Sequence, residues 1–281
     1  MEPLIDAHCH IFPQDFQRRR DELLRRDATF SELFSQGQHQ LATAETLISA
    51  MDQNGIGRAV VMGIGWTDLA LAQEANDCLI RAVADRPGRL TGLCSVNPGW
   101  GQPGLDEIER CAAHGLKGVG ELHPDTQGFD IADGDSLAPL MELAAGLAMP
   151  VLVHCSEPAG HQYPGKGGTT PGKVYRFIEN FPGNQIICAH WGGGLPFYGL
   201  MPEVPEVLKN VYFDSAASPF LYRPGVYQTV AGLVGPEKIL FGTDYPLIGY
   251  SKALGHLAES GLEEVDRSAI LGGNAARLFG V

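Results

Sequence analysis

An apolar run that ends in two imidazoles occupies residues Leu4–His10 and reads LIDAHCH. Short runs of this kind, rich in aliphatic and β-branched residues, are typical of buried parallel strands. Four further runs end in a histidine or an acid before loop residues begin: VGE at Glu121, VLVH at His154, IICAH at His190 and LFGTD at Asp244. The carboxyl ends of parallel strands meet at one edge, so these side chains are predicted to converge on one metal site.

Eight such strands alternate with helical patterns along the chain. The predicted strands lie at 4–10, 58–64, 90–96, 116–122, 151–154, 185–190, 211–217 and 239–244. The ligand candidates are spaced by about one βα unit, with 33 residues from Glu121 to His154 and 36 from there to His190. The pattern predicts an α/β fold, a (β/α)8 TIM barrel, as a single domain over residues 1–281. Residues 15–38 interrupt it and are predicted to form a helical insertion after strand 1.

The composition limits the partners. The 281 residues are 44% apolar and carry a net charge of −13, which argues against a nucleic-acid partner. No apolar run is long enough to span a membrane, and no secretory signal is recognisable. The six cysteines form no CxxC pair and are expected to be free thiols. We therefore expect a cytoplasmic protein with a small-molecule substrate, in which homo-oligomerisation stays open.

The residue types at the strand ends suit divalent metals. His8 and His10 are two apart on a strand and should face the barrel interior, with Asp6 on the same face one layer deeper. Any one of these side chains alone would more often be structural than a ligand. Buried imidazoles that face one another are poorly solvated without a metal, and the whole set therefore favours a metal site. Asp244 is the best candidate to take a proton from a metal-activated water.

These motifs carry a family resemblance. The segments Asp6-x-His8-x-His10, Val153-His154, the AHWGG sequence from Ala189 and the FGTDYP sequence from Phe241 resemble the amidohydrolase superfamily, and its amidohydrolase-related branch most closely. The C-terminal GNAARLF, residues 273–279, is similar to the tail of that branch. The resemblance covers nearly the whole chain and implies that His8, His10, His154 and Asp244 occupy metal-ligand positions.

Strand 4 bears on the number of ions. The resemblance implies that His190 ligates a second metal in binuclear members and acts on water or substrate in mononuclear ones. Many binuclear members use a carboxylated lysine on strand 4, whereas TatD-type hydrolases use a glutamate. Glu121 fits the glutamate version, and Lys117 is interpreted as structural or as a supporting residue. One or two ions, most readily Zn²⁺, are therefore expected, with two favoured and Glu121 between them.

Three functions follow from such a site. The first is a metal-dependent hydrolase of a small amide, lactone or ester, with Asp244 and His190 as catalytic residues. The alternative is a non-oxidative decarboxylase or hydratase of an unsaturated or aromatic carboxylic acid with one metal. The third is a non-catalytic metal-binding barrel, which the complete set of polar residues argues against.

Substrate contacts should come from the loops that follow the strands. The candidates in these loops are Trp66, His123, Lys166, Trp191 and Arg223. Lys166 or Arg223 could bind a substrate carboxylate, although each is more often a solvated charge. The glycine-rich stretch 160–172 is a candidate mobile lid, or an idle surface loop.

Overall fold

Eight parallel strands in sequence order form the centre of the computed structural model, which describes residues 3–36 and 40–281. The strands are β1 Leu4–His10, β2 Ile56–Met62, β3 Leu90–Cys94, β4 Gly118–Leu122, β5 Val151–Val153, β6 Ile186–Cys188, β7 Val211–Asp214 and β8 Ile239–Leu240. Backbone hydrogen bonds from Ala7 N to Phe241 O and from His10 N to Tyr245 O bring the last strand against the first. The predicted TIM barrel is confirmed.

Helices follow the strands and cover the barrel. They are α1 Arg20–Arg26, α2 Ala28–Phe34, α3 Ala44–Asn54, α4 Leu69–Asp85, α5 Gln102–Ala113, α6 Pro124–Gln127, α7 Gly134–Gly146, α8 Pro171–Asn180, α9 Ala189–Gly192, α10 Val204–Val207, α11 Ser218–Leu221, α12 Val226–Val234, α13 Tyr250–Ala258, α14 Glu264–Ser268 and α15 Asn274–Phe279. Short 3-10 turns occupy Pro98–Trp100, Leu195–Tyr198 and Pro236–Lys238, and a π-helical turn occupies Ala269–Gly273.

Local sequence explains where the longer helices begin and end. The Thr43 hydroxyl accepts the Thr46 amide at the start of α3, and Gly55, with φ of 71°, ends it in the left-handed region that glycine tolerates. The Asp68 carboxylate caps α4 in the same way by accepting the Leu71 amide. The starts and ends of these helices are thus set by residues adjacent to them in the sequence.

The barrel interior is a layer of aliphatic side chains below the polar site. Ile5, Ala7, Leu152 and Ile187 belong to it, and Phe279 of α15 packs against it from the amino end of the strands. All six cysteines are free thiols, as expected. Among the described residues no helix combines the length and the hydropathy that crossing a membrane requires.

The insertion is helical, as predicted. Helices α1 and α2 lie within the predicted range 15–38, of which residues 37 and 38 lie outside the described residues. Phe16 and Phe30 of this segment pack with Trp66 in one buried aromatic cluster. The insertion therefore covers the loop after β2 at the carboxyl end of the barrel, the face on which the candidate site lies.

Two details of the strands differ from the predictions. The register between β1 and β2 shifts between Asp6 and Cys9, and Asp6 lies beside the Cys9 thiol while Ile5 and Ala7 face the interior. The prediction that Asp6 shares a face with His8 is therefore wrong, because a bulge interrupts the alternation. Lys117 precedes β4 and is exposed, which excludes the supporting role near the metal site.

Candidate metal centre

Three histidines at the strand ends present the same nitrogen to a common point. The Nδ1 atom of His10 donates to the Gly63 carbonyl at 2.8 Å, and Nδ1 of His190 donates to the Ala216 carbonyl at 3.1 Å. Because a carbonyl only accepts, each of these rings keeps a lone pair on Nε2. The Nε2 atoms of His8 and His10 lie 3.1 Å apart. Orienting acceptors behind the ring are a common feature of metal-binding histidines.

Asp214 supplies the corresponding contact for His8. Its Oδ2 atom lies 2.8 Å from Nδ1 of His8, and its Oδ1 atom accepts the amides of His190 at 2.9 Å and Ala216 at 3.0 Å. One carboxylate at the end of β7 therefore holds the ring of His8 and the backbone of His190. Burial by itself lowers the pKa of His8, but Asp214 and Glu121 outweigh it and raise the pKa well above its ordinary value.

Asp244 reaches the site from a turn beyond β8. It adopts a φ of 66°, and its amide donates to the His8 carbonyl at 2.9 Å. Thr243 fastens this turn, because its amide and hydroxyl both donate to the Asp6 carboxylate. The side chain then places Oδ1 3.0 Å from Nε2 of His10. A strained backbone at a functional position needs such support from its surroundings.

Glu121 lies between the two halves of the cluster. Its Oε2 atom is 3.7 Å from Nε2 of His8 and 3.6 Å from that of His10. Its Oε1 atom is 3.0 Å from Nδ1 of His154 and 3.6 Å from Nε2 of His190. Burial by itself raises the pKa of Glu121, but hydrogen bonds from His154, His190 and His8 bring the pKa well below its ordinary value.

The donor set divides into two groups of three. His8, His10 and Asp244 form one, and Glu121, His154 and His190 form the other, each with its ligand atoms within 4.8 Å of one another. Imidazole nitrogens and carboxylate oxygens suit divalent ions such as Mn²⁺, Fe²⁺ and Zn²⁺, and no thiolate takes part. The six side chains predicted as ligands are thus brought together and fit a divalent metal.

The electrostatics of the cluster agree with a site that attracts cations. Burial by itself raises the pKa of Asp244, but His10, His8 and His190 outweigh it and bring the pKa to about 2. Burial lowers the pKa of His190, yet Glu121, Asp244 and Asp214 raise it to about 9. The two ionised carboxylates favour protonated imidazoles beside them, and a metal ion that binds here would replace those protons.

The predicted substrate contacts have unequal surroundings. Trp66 and Trp191 are fully enclosed, the first among phenylalanines and the second with its Nε1 donating to Ser218. Lys166 is held by the carbonyls of its own loop, Ala159 and His161, while Arg223 is exposed. Only His123 contacts the ligand candidates, by stacking on His154 with ring centroids 4.2 Å apart. Their roles in binding substrate stay predictions.

Several residues near the site escaped the sequence analysis. The Ser156 hydroxyl lies 3.4 Å from Nε2 of His154 and accepts the Gly167 amide. Thr29 of the insertion reaches Thr126, which contacts the ring of His123. Isolated serines and threonines carry no distinguishing pattern, and only tertiary contact identifies these three residues.

The fold and the site define a class, a TIM barrel with a divalent-metal centre at the carboxyl end of its strands. Residues 5–281 match the sequence model described as amidohydrolase, and the chain belongs to the amidohydrolase family. The resemblance found in the motifs is confirmed.

Several known proteins similar to this chain are named decarboxylases. The 2-amino-3-carboxymuconate-6-semialdehyde decarboxylase of Dictyostelium discoideum is 27% identical over 243 residues, which cover 76% of this chain and 67% of that protein. The solved 5-carboxyvanillate decarboxylase of Sphingomonas paucimobilis superposes with a TM-score of 0.82 at 18% identity and full coverage of both chains. A dihydroxybenzoic acid decarboxylase of Polaromonas was solved with manganese and the inhibitor 2-nitroresorcinol. It superposes with a TM-score of 0.75 at 21% identity, over 100% of this chain and 97% of that one.

These relatives correct the predicted activity. The prediction of a hydrolase is wrong, because the named relatives cleave a carbon–carbon bond to a carboxylate and are lyases. Metal ligands at strand ends position an ion but do not select the bond that reacts. The choice of zinc is corrected with it, since the Polaromonas structure holds manganese.

Proposed function

We propose that this chain, as one catalytic domain over residues 1–281, is a metal-dependent decarboxylase of an aromatic or unsaturated carboxylic acid. The observation that carries the proposal is a relative of 27% identity over three quarters of the chain that is itself a decarboxylase. The alternative function predicted from the sequence therefore replaces the hydrolase. A cluster of buried imidazoles and carboxylates at the carboxyl end of the barrel supports it.

Six side chains would hold the metal. They are His8, His10, Glu121, His154, His190 and Asp244, whose ligand atoms lie in two adjoining groups. A bound divalent ion would supply the positive charge that holds the substrate carboxylate and withdraws electron density from the bond to be broken. Manganese is the ion we favour, and Glu121, with one oxygen toward each group, could serve two ions.

Asp244 is the residue we assign to proton transfer. Its side chain is the most exposed of the six ligand candidates, at 15% against 10% for His10, and its turn lies at the mouth of the barrel. In the proposed reaction its carboxyl group gives a proton to the carbon that bears the carboxylate. The electrons of the new carbon–hydrogen bond come from the conjugated π system of the substrate. The carbon–carbon bond then breaks, its electron pair restores that π system, and carbon dioxide leaves. A pKa of about 2 keeps Asp244 ionised at rest, so it must gain this proton in the substrate complex.

The supporting residues keep this geometry in place. Asp214 fixes the ring of His8, and Thr243 with Asp6 fixes the turn that carries Asp244. Burial of the cluster excludes water from the carbon that is protonated, which favours the transfer of one proton from a held group over exchange with solvent. In this proposal the substrate is a small acid, and Arg223 remains the candidate cation at the rim.

The test is release of carbon dioxide by the manganese-loaded protein from 2,6-dihydroxybenzoate, 5-carboxyvanillate and 2-amino-3-carboxymuconate-6-semialdehyde. We expect turnover of at least one acid, a loss of at least 100-fold in Asp244→Asn, and unchanged turnover in Asp85→Asn, which changes an exposed acid. Hydrolysis of esters or lactones without any release of carbon dioxide would refute the proposal.

A further inference from the structure

His123 carries a buried nitrogen that no described residue satisfies. Its side chain is 2% exposed and stacks on His154, with an interplanar angle of 17°. The Nε2 atom has no hydrogen-bond partner among the described residues. A buried polar atom without a partner costs free energy unless a ligand or water supplies one. This atom therefore points to a ligand contact beside the metal centre.

The protonation of His123 follows from two threonines. The hydroxyl of Thr29 donates to the Gly65 carbonyl at 2.5 Å, because a carbonyl only accepts. The hydroxyls of Thr29 and Thr126 lie 2.6 Å apart, and this contact then requires the proton of Thr126. Thr126 has a single proton, for which the Thr29 hydroxyl and the His123 carbonyl at 3.3 Å are the acceptors, so at 3.0 Å its oxygen accepts from Nδ1 of His123. The ring is held as the Nδ1–H tautomer, with a lone pair on Nε2.

The space next to Nε2 is kept free of side chains by a glycine. A Cβ atom added at Gly165 would lie 3.4 Å from Nε2 of His123 and 2.7 Å from the side chain of Leu33. Gly165 belongs to the loop between β5 and α8, and its amide donates to Glu32 of the insertion at 3.3 Å. A ligand group at Nε2 would lie beside a backbone without a side chain, between this loop and α2.

We propose that His123 is a specificity-determining residue that accepts a hydrogen bond from a hydroxyl or amino group of the substrate, and that Thr29 and Thr126 set its tautomer. The inference rests on the proposed function, since it narrows the acid to one with a donor group near the carboxylate. An acid that carries only a hydrogen-bond acceptor at this place, such as an ether oxygen, leaves the lone pair of Nε2 without a partner and binds more weakly.

The tautomer is tested first, without any ligand. Long-range proton–nitrogen NMR spectra of the uniformly 15N-labelled protein should give the Nδ1–H pattern for His123, assigned by its loss in His123→Gln. In Thr126→Val the Nδ1 atom loses the hydroxyl that accepts its proton, and the pattern should change toward Nε2–H. Thr229→Val, an exposed threonine on α12, should leave it unchanged. An Nε2–H pattern in the wild-type protein overturns the proposal.

Binding is tested with a pair of probes that differ by one proton donor. The dissociation constants of 2-hydroxybenzoate and 2-methoxybenzoate are measured by calorimetry on the manganese-loaded protein. We expect the hydroxyl probe to bind about 10-fold more tightly, the value of one hydrogen bond to a buried acceptor. His123→Phe keeps a ring against His154 and should abolish the preference, whereas His123→Gln, which retains an acceptor, should keep part of it.

The outcomes separate this proposal from the decarboxylase proposal. A wild-type protein that binds the two probes equally, or binds neither, overturns the role of His123, as does an unchanged preference in folded His123→Phe. Thr126→Val gives a second reading, because a donor on Nε2 should remove the preference for the hydroxyl. If the preference holds and no acid releases carbon dioxide, only the decarboxylase proposal fails.

Discussion

The Nδ1 atom of His8 lies 2.8 Å from Oδ2 of Asp214, and neither side chain is exposed to solvent. This contact fixes the ring of His8 and directs its Nε2 toward the other ligand candidates. The same carboxylate accepts the amide of His190, so one residue at the end of β7 orients elements on both sides of it. Asp214 therefore acts on the other ligand candidates through the histidine.

The first prediction concerns this orienting contact. In Asp214→Asn the side chain keeps its size but loses the charge that favours the Nδ1–H form of His8. We expect manganese to bind 10- to 100-fold more weakly, the usual effect of removing a carboxylate behind a metal-binding histidine. Competition with a chelating dye measures the affinity, and Asp85→Asn is the control for the change in charge. Equal affinities in the two variants would show that the orienting contact is dispensable.

The second prediction concerns pH. Folding raises the pKa of His190 from 6.5 to about 9, mainly through Glu121, against the effect of burial. Protonated His190 therefore stabilises the metal-free protein. Its contribution to the free energy of unfolding is complete below pH 6.5 and is lost as the pH rises through 9. His8 acts in the same direction. We expect a decrease of about 1–3 kcal/mol.

Urea unfolding of the chelator-treated protein at pH 6 and pH 9.5 measures this change. His190→Gln should show a smaller decrease, because it removes the group whose proton is lost. The same two histidines should release protons when manganese binds near pH 7.5, which calorimetry in buffers of different ionisation enthalpy detects. A flat stability profile over this range would contradict the prediction.

The third prediction concerns Glu121 and the number of ions. With one oxygen near His8 and His10 and the other near His154 and His190, Glu121 should be needed for the second ion only. We expect about two manganese ions per wild-type chain and about one in Glu121→Gln, by metal analysis after gel filtration. Glu109→Gln, on the outer helix α5, is the control. One ion in both proteins would restrict the centre to a single metal.

The fourth prediction concerns the turn after His190. Gly193 has a φ of 61°, and a Cβ atom there would lie 2.3 Å from the carbonyl oxygen of Ser156. Gly193→Ala should therefore lower the free energy of unfolding by about 2–4 kcal/mol and the melting temperature by about 5–10 °C. Gly172→Ala, at a helical position with open space, should leave stability unchanged or slightly higher. Similar melting temperatures for the two variants would show that the turn relaxes.

The predictions from sequence were most accurate where a local pattern carries the signal. The eight apolar runs depend on nearby residues alone, and each overlaps a strand of the structure. The bulge in β1 was missed because the alternation of side chains is set by pairing with β2, and Asp6 was assigned to the wrong face for this reason. The activity was also predicted wrongly, because hydrolases and decarboxylases of this family use similar ligand motifs.

Sequence by itself determined the barrel and the six ligand candidates, since strand periodicity and the position of imidazoles and acids at strand ends are local properties. Tertiary structure alone decided which atoms face one another: Asp214 behind His8, Glu121 between the two groups, and Thr29 against Thr126. The two threonines are 97 positions apart along the chain, and His8 and Asp214 are 206 positions apart. Such distances along the chain are closed only when the whole barrel forms, and no local pattern records them.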